Sequence, residues 1–391
     1  MPNQTNRIQR SILLLGIAVC LIYIGISFSK EESAVAALSA ANSQLFLATN
    51  VKSTGPEYKI IYESEGDLYM MNMQGNNKVN ITNSPSITES RPLWSPDGTQ
   101  IAYLAYTVED ENEAFVMNVD GSDSINISQG LVDNYLAPAW SPDSSKLLFV
   151  SERTGKGDIY VVNRDGTNLT NLTNSPDSDE SHPAWSPDGL KIAFSHGNTY
   201  YLRIKVMDAN GANVITLADA LGGNLRPAWS PDGSQIAFSS GRDSDDYDLF
   251  LMNADGSNQR NMTSGINTYY LLGPFLWSPD SAYISFAVET RVYPTGNSDI
   301  YRVHVLDSTI ENLTPSQVDD EFLGPQWTPD GTRMFFYSEE WNGPNDIFVM
   351  DANGSNMQNI TNSAYVSERS PVVSPIPIGQ WQLFLPMVVG K

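Results

Sequence analysis

The sequence predicts an all-β fold made of repeated four-stranded antiparallel units, and three observations support this prediction. The chain of 391 residues contains 28 Gly, 23 Pro and 18 Tyr, a composition typical of many short strands joined by turns. A Trp-Ser/Thr-Pro-Asp motif recurs six times along the chain. Each interval between motifs holds four strand-like runs separated by turn residues, and it leaves no room for a helix.

The motif copies are evenly spaced. They begin at Trp94, Trp140, Trp185, Trp229, Trp277 and Trp327. A degenerate seventh copy reads Val373-Ser374-Pro375-Ile376. Consecutive copies lie 44 to 50 residues apart, close to the ~40–45 residues of a four-stranded propeller blade. The period therefore predicts a β-propeller in which each repeat is one blade.

Turn and strand signals follow each motif in a constant order. Pro-Asp-Gly favours a turn because Pro sets φ, Asp bonds the backbone ahead and Gly accepts a positive φ. A second strand follows, as at Ile192–Phe194, and a third strand begins with Asp, as at Asp158–Tyr160. An Asn-x-Asp-Gly turn, as at Asn163–Gly166, then leads to a short fourth strand that closes on Asn-x-Thr, as at Asn171–Thr173.

The two ends of the repeat array complement each other. Tyr58–Tyr62, Asp67–Met70 and Val79–Thr82 read as strands two to four of a blade that lacks its first strand, and Arg369–Val373 reads as a first strand. Pairing the two ends gives seven blades, six complete and one split, and removes the open edges of the array. The alternative is six blades plus an unpaired fragment.

The N-terminus carries a predicted targeting segment. Arg7 and Arg10 precede an uncharged, mostly apolar run over residues 11–29, and a basic flank before an apolar run directs export. The run is longer than the ~7–15 residues of a signal-peptide core and just reaches the ~18 residues of a membrane span. A cleaved signal peptide and an uncleaved membrane anchor both remain open. Cys20, the only cysteine, lies inside this run, so the exported part forms no disulfide.

The predicted segments follow from these features. They are a signal peptide or membrane anchor with an apolar helix at 1–30, a polar linker at 31–56, the propeller at 57–379 and a C-terminal tail at 380–391. The tail reads either as an extra strand or as a disordered end. The expected location is the periplasm or the cell exterior, with attachment to the inner or cytoplasmic membrane if the segment is not cleaved.

The charge balance excludes one class of partner. The chain has 22 Lys+Arg and 45 Asp+Glu, so the formal net charge is 22 − 45 = −23. Nucleic-acid binding uses clustered Lys and Arg side chains against phosphates, and the composition argues against it. A hydrophobic content of 41% also excludes wholesale disorder.

The repeat residues resemble a known family. Six Trp-Ser/Thr-Pro-Asp motifs with Ile-Ala-Phe-like second strands and Asp-Ile-Tyr-like third strands are similar to the TolB-type propeller repeats, which are relatives of the WD repeats. The resemblance covers about residues 57–373. It implies an exported, protein-binding propeller. TolB itself has an α/β domain before its propeller and works in the Tol–Pal system, and residues 31–56 offer no counterpart of that domain. The repeats also resemble the propellers of prolyl-oligopeptidase-type peptidases, whose hydrolase domain with a Gly-x-Ser-x-Gly elbow has no counterpart in this sequence.

Most residues that recur in every blade are interpreted as scaffold. The motif tryptophans are expected to pack blade against blade. The motif aspartates are expected to bond their own turns: Asp97, Asp143, Asp188, Asp232, Asp280 and Asp330. Seven Asn-x-Ser/Thr sequences are interpreted as repeat sequence rather than glycosylation signals: those at Asn80, Asn126, Asn168, Asn171, Asn261, Asn312 and Asn359.

Residues that break the repeat are better candidates for binding. Arg91, His182 and Arg226 each lie three positions before a blade's Trp, where the inner strand meets the central channel. Acids recur two positions earlier, at Glu89, Glu180 and Glu368. The long loops between blades add the aromatics Tyr135, Tyr269, Tyr270 and Phe322, and loops on a rigid scaffold concentrate binding residues. A solvated channel mouth of charged residues without a ligand is the alternative interpretation.

These features predict a non-catalytic, monomeric scaffold that binds a protein, peptide or glycan at its loop-rich face. The alternative is a hydrolase or lyase acting on a glycan or peptide, with His182 as acid–base group and Arg226 or Arg91 as clamp. No Ser-His-Asp set is legible, and the three histidines occupy different repeat positions, so no metal or cofactor is expected. Carboxylates over residues 243–248 suit Ca²⁺ but do not match the EF-hand spacing, and they are interpreted as an acidic surface loop.

Overall fold

The computed structural model describes residues 57–377 except for ten short gaps. The gaps are 107–111, 131–136, 199–200, 244–246, 265, 267, 291–297, 316–318, 321–323 and 340–343. The predicted targeting segment, the linker up to residue 56 and the tail from residue 380 lie outside this part of the chain. Within it every regular element is a strand, and the strands form seven antiparallel sheets.

The sheets are numbered as blades in the order of their first strands. Blade 1 contains β4 (Thr88–Trp94), β5 (Gln100–Tyr106), β6 (Asn112–Asn118) and β7 (Ile125–Asn126); blade 2 contains β8 (Ala139–Trp140), β9 (Lys146–Ser151), β10 (Asp158–Asn163) and β11 (Thr170–Asn171); blade 3 contains β12 (Asp179–Trp185), β13 (Lys191–Gly197), β14 (Arg203–Asp208) and β15 (Ile215–Ala218). Blade 4 contains β16 (Asn224–Trp229), β17 (Gln235–Ser240), β18 (Asp248–Asn253) and β19 (Arg260–Asn261); blade 5 contains β20 (Thr268–Trp277), β21 (Tyr283–Thr290), β22 (Ser298–His304) and β23 (Ile310–Asn312).

The last two blades depart from this pattern. In blade 6 the first strand is interrupted, so that both β24 (Asp319–Asp320) and β25 (Gln326–Trp327) pair with β26 (Arg333–Glu339), followed by β27 (Asn345–Asp351) and β28 (Gln358–Asn359). Blade 7 is split between the ends of the repeat array: β29 (Glu368–Val373) pairs with β1 (Lys59–Ser64), followed by β2 (Asp67–Asn72) and β3 (Val79–Asn80). The prediction of seven blades is confirmed, and the six-blade alternative is wrong.

Blade 7 closes the ring through backbone and side-chain contacts. Ile60 pairs with Val373 and Ile61 pairs with Val372. Beyond the strand, the Lys59 amide donates to Ser374 Oγ at 3.0 Å. The last strand of the repeat array, β29, is thus held in the same sheet as the first three strands, and it supplies the first strand of blade 7.

The repeat tryptophans join neighbouring blades, as predicted. Trp140 Nε1 donates to the Leu93 carbonyl of blade 1 at 3.2 Å, and Trp94 Nε1 donates to the Val372 carbonyl of blade 7 at 3.1 Å. The same bond recurs at Trp185, Trp277 and Trp327. The indoles of Trp94 and Trp140 also pack in the core between two blades. Trp229 is the exception among the described repeats, because its Nε1 has no hydrogen-bond partner.

The motif aspartates bond their own turns, which confirms their predicted scaffold role. Asp143 Oδ1 accepts from Ser141 Oγ at 2.6 Å and from the Ser145 amide at 3.0 Å. The Ser141 hydroxyl and the Ser145 amide hold the pKa of Asp143 below its usual value. Ser141 and Asp143 therefore act together at this turn: the serine hydroxyl bonds the carboxylate, and the carboxylate accepts from the backbone just before the next strand.

Candidate functional site

Two kinds of loop meet on one face of the propeller. The Glu180 amide at the start of blade 3 donates to the Gly157 carbonyl in the turn between strands two and three of blade 2, at 2.6 Å. The Glu89 amide makes the same bond to the Gly66 carbonyl at 2.8 Å. The loop that enters each of these blades therefore lies directly against the strand two–three turn of the blade before it. This contact supports the predicted common, loop-rich face.

In four of the described blades a β-bulge interrupts the first strand at this face and contains a left-handed residue; the first strand of blade 5 also shifts register. In each bulge the residue that precedes a proline adopts a left-handed backbone: φ is 53° at Arg91, 52° at His182, 57° at Arg226 and 51° at Ser370. The strand pairing shifts at the same point. Proline cannot donate to the ladder, and a bulge removes that demand. The predicted residues Arg91, His182 and Arg226 thus occupy one equivalent backbone position in blades 1, 3 and 4.

The bulge amides are bonded by the preceding blade. The Arg91 amide donates to Glu63 Oε1 at 2.7 Å, and the Arg226 amide donates to Ser195 Oγ at 3.1 Å. Neighbouring first strands contact one another around the ring, as β12 contacts β16. The bulge residues therefore interrupt the strand pairing of the innermost strands, and at Arg91 and Arg226 the backbone amide is bonded by a side chain of the preceding blade.

His182 and Arg226 influence each other electrostatically across blades 3 and 4. Burial, and then the positive charge of Arg226, lower the pKa of His182 from 6.5 to about 4. His182 Nδ1 lies 3.0 Å from Ser181 Oγ. The imidazole is therefore neutral at pH 7, beside a permanent guanidinium charge. Arg91 belongs to blade 1, and blade 2 separates it from His182.

The three predicted glutamates lie inside the wall of the propeller. Glu89, Glu180 and Glu368 are all at least 97% buried. Thr82 Oγ1 bonds Glu89 at 3.2 Å, and Lys78 Nζ lies 2.9 Å from Glu368. Burial raises the pKa of Glu89, although bonds from Ser84 and Thr82 partly oppose it. The Glu89 bond joins blade 1 to the segment that follows β3 of blade 7, whereas Glu368 is paired within blade 7. A direct ligand contact by any of the three glutamates stays a prediction.

Glu180 has a partner that the sequence analysis missed. His196 Nδ1 lies 2.6 Å from Glu180 Oε1, and the two residues face each other across β12 and β13. Burial raises the pKa of Glu180 in spite of this bond. Counting the register outward from the Trp185–Ile192 pair places Gly197 opposite Glu180. The β-bulge shifts the pairing by one residue to His196, so the repeat pattern alone does not reveal this contact.

The predicted aromatics are only partly covered by the structure. Tyr135 and Phe322 lie outside the described residues, and Tyr269 and Tyr270 are described as backbone of β20 only. Three other tyrosines on the loop-rich face are exposed and were missed: Tyr106 at 41%, Tyr201 at 54% and Tyr365 at 96%. Nothing in their spacing marks them, since Tyr106 ends β5 while Tyr201 and Tyr365 lie in connections of irregular length.

The acidic segment near residue 243 serves the scaffold at both of its ends. Asn261 Nδ2 donates to Asp243 at 3.2 Å and to Asp248 at 2.9 Å. Residues 244–246, between them, lie outside the described part. Among the described residues no group of three or more His, Cys, Asp and Glu side chains is arranged to hold a metal ion. Those residues also include no helix of the length and apolarity that a membrane crossing requires.

Replacing His182 with Asn tests the neutral state of this partly buried imidazole. The folded pKa of about 4 lies below the unfolded value of 6.5, so between these values the unfolded chain takes up a proton that the folded chain does not. Wild-type stability must therefore fall as the pH drops through this window. Asn does not titrate and tolerates a left-handed φ. Between pH 7 and pH 5 the unfolding free energy of wild type should therefore fall by about 1–2 kcal/mol more than that of His182→Asn. Urea denaturation of both proteins at the two pH values measures this difference. A difference that does not change with pH would contradict the assignment.

Comparisons with known proteins agree with this architecture. A family model described as the TolB beta propeller domain matches residues 56–217 and 197–377. An uncharacterized protein of Agrobacterium fabrum, Atu1656, is 32% identical over 119 residues, which make up 30% of this chain and 36% of that protein. The match thus spans about a third of the length of this curated relative.

Solved structures share the fold at low sequence identity. TolB from Acinetobacter baumannii has a TM-score of 0.53 and 19% identity, with 83% of this chain and 81% of that chain covered. An oligogalacturonate lyase in complex with manganese has a TM-score of 0.59 and 15% identity, with 78% and 84% covered. TolB and an oligogalacturonate lyase therefore share this architecture. Because the family model matches from residue 56 to residue 377, the chain belongs to the family of TolB β-propeller domains.

Proposed function

We propose that this protein is an exported, non-catalytic scaffold that binds a protein, peptide or glycan partner at the channel mouth around Arg91, His182 and Arg226. The observation that carries the proposal is the repetition of one strained backbone position. The bulge presents a long cationic or imidazole side chain in three blades, while the rest of each blade repeats its scaffold residues. Equivalent positions on different blades can hold one ligand that lies across the propeller axis.

The chemistry at His182 favours binding over catalysis. Its Nδ1 faces the Ser181 hydroxyl rather than a carboxylate, so it lacks the partner that orients and activates a general base. A pKa near 4 keeps the imidazole neutral and makes it a weak base. The buried Glu180–His196 pair does have carboxylate–imidazole geometry, but all of its described contacts lie within the wall between blades 2 and 3.

The family supports a role in the cell envelope. The chain shares its fold with TolB, and a TolB-like propeller suits a monomeric protein exported through the segment at residues 1–30. A glycan- or peptide-acting lyase or hydrolase is the second candidate, because the same architecture occurs in an oligogalacturonate lyase. In that case His182, with Arg226 or Arg91, would carry the reaction.

A capture experiment with matched variants separates the two candidates. The full chain, purified in a non-ionic detergent, is crosslinked to an envelope fraction, and bound molecules are quantified by mass spectrometry. We expect Arg91→Ala/Arg226→Ala to reduce the recovered partner at least tenfold. The control Lys146→Ala/Arg164→Ala removes the same charge from exposed side chains near the turns of the opposite face and should leave recovery unchanged.

Turnover provides the opposing outcome. Galacturonate oligomers and mixed peptides are incubated with wild type and with His182→Ala, and cleavage is followed by absorbance and mass spectrometry. Cleavage by wild type that disappears in His182→Ala would overturn the scaffold proposal. Equal recovery of the partner by the mouth variant and the control variant would also overturn it.

A further inference from the structure

The bulge residues differ in kind from the other left-handed residues of the structure. Outside the bulges, the described non-glycine residues with positive φ are Asn, Asp, Ser, Gln and Glu, mostly short polar residues that tolerate this conformation. Within the described part of the chain, arginine and histidine occur in this conformation only at Arg91, His182 and Arg226. Ser370 shows that the same bulge forms with a small residue. The backbone therefore does not account for the long side chains, and strained positions of this kind often coincide with binding sites.

The charge of the site stands out from that of the chain. The net charge is −23, yet the bulges bring two arginines and a neutral histidine to the innermost strands. Among the described residues, the Arg91 guanidinium has no hydrogen bond or ion pair. Three glutamates near the mouth already have partners: Glu180 and Glu368 are buried against His196 and Lys78, and Glu63 accepts from the Arg91 amide. The mouth is therefore a local site for an anion within an acidic protein.

The global charge limits which anion can approach. A polyanion meets repulsion from the whole acidic surface, whereas an anion on an otherwise uncharged segment is repelled only weakly beyond the ~8 Å Debye length. A guanidinium binds a carboxylate through two parallel hydrogen bonds. A neutral imidazole adds a further hydrogen bond without repelling Arg226. The end of a chain can enter an axial channel more readily than its middle, and capture of C-terminal carboxylates is a recurrent mode of peptide recognition.

We propose that Arg91, His182 and Arg226 bind the C-terminal carboxylate of a protein partner whose last residues enter the channel from the loop-rich face. The exposed Tyr106, Tyr201 and Tyr365 on that face are placed to contact the residues that precede the carboxylate. The inference rests on the proposed scaffold function and specifies its ligand.

The test uses a peptide probe in two forms. The full chain in a non-ionic detergent is titrated into random-sequence hexapeptides that carry an N-terminal fluorophore and either a free or an amidated C-terminus. Binding is read by fluorescence anisotropy. We expect the free-acid pool to bind at least tenfold more tightly than the amidated pool. A third, amidated pool without Asp and Glu identifies binding that depends on side-chain carboxylates instead.

Glycine variants separate a binding role from a structural one. Arg91→Gly and Arg226→Gly relieve backbone strain, so the melting temperature should be unchanged or higher, while free-acid binding should fall at least tenfold. Asn77→Gly changes an exposed left-handed residue with φ of 58° in a turn, and it should alter neither quantity. Loss of binding without loss of stability is a result that a purely structural arginine does not produce.

Several outcomes would overturn the inference. It fails if the acid and amide pools bind equally or if neither pool binds. It also fails if both glycine variants bind the free-acid pool like wild type, or if galacturonate oligomers bind more tightly than the free-acid peptides. If the two pools bind equally but both glycine variants lose binding, the C-terminal carboxylate is not the recognised group, while the proposed binding function at the mouth stands. If partner capture also becomes independent of the mouth, the proposed function fails as well.

Discussion

Deleting residues 368–391, and with them β29, is expected to abolish cooperative folding of the propeller. The deletion exposes Ile60 and Ile61, which are 0% accessible in the closed ring, and it removes the Val372 carbonyl that accepts from Trp94. Each fully buried aliphatic side chain contributes about 1.5–3 kcal/mol, so the losses at β1, β4 and β29 approach the ~5–15 kcal/mol of a typical domain. The bare edge of β1 also offers a template for association. Far-UV circular dichroism on heating and size-exclusion chromatography measure the two effects.

A shorter deletion provides the control for ring closure. Removing residues 380–391 leaves β29 and Ser374 in place, so the cooperative transition should be retained. A synthetic peptide spanning residues 366–379 should restore part of the transition when added to the longer deletion, because it supplies the missing strand. If both deletions melted like wild type, pairing of β29 with β1 would contribute nothing to stability, and closure of the ring by β29 would be contradicted.

The blades could be predicted because their signals are local. Each Trp-Ser-Pro-Asp turn contains the donor and acceptor that it uses, as Ser141 and Asp143 show, so six copies reveal six turns without knowledge of the fold. The split blade was also predictable, since Val373-Ser374-Pro375 retains part of the motif. Its partner strand over residues 59–64 has the apolar content of a second strand. Where every contact lies within about five residues, the sequence pattern carries the structure.

The bulges could not be predicted, because their cause is remote in sequence. Arg91-Pro92 reads as a strand interrupted by proline, and the amide of Arg91 is bonded by Glu63, 28 residues earlier in another blade. The burial of Glu180 has a similar origin. The turn at Gly157 of the preceding blade contacts the start of β12. Glu180, which the repeat pattern places at a solvated channel mouth, is therefore buried between the blades. Predicting either feature requires the packing between blades as well as the repeat.

Replacing Asp158 with Ala is expected to be among the most destabilising single changes in the chain. Asp158 is 1% exposed. Its carboxylate accepts from Asn171 Nδ2 at 2.9 Å, from Thr173 Oγ1 at 3.2 Å and from the Ser175 amide at 2.8 Å. Alanine removes the acceptor of these partly buried donors, and bonds to charged groups contribute about 1.5–3 kcal/mol each. We expect a loss of about 3 kcal/mol or more in unfolding free energy, measured by urea denaturation at pH 7.

The pH dependence of Asp158→Ala distinguishes lost carboxylate bonds from a simple cavity. Burial alone would raise the pKa of Asp158, but the bonds from Thr154, Ser175, Asn171 and Thr173 outweigh it and lower the pKa below 3.8. The ionised carboxylate therefore stabilises the fold above pH 3.8, and this contribution is lost as the pH falls through the folded pKa. The gap between wild type and variant should narrow in acid, whereas a cavity would cost the same at every pH. Asp177→Ala, at an exposed aspartate in the next loop, should change stability by less than about 0.5 kcal/mol. The asparagine bond to the third-strand aspartate recurs in four other blades. A large loss of stability at Asp158 would therefore indicate that the equivalent aspartates stabilise most blades of the ring.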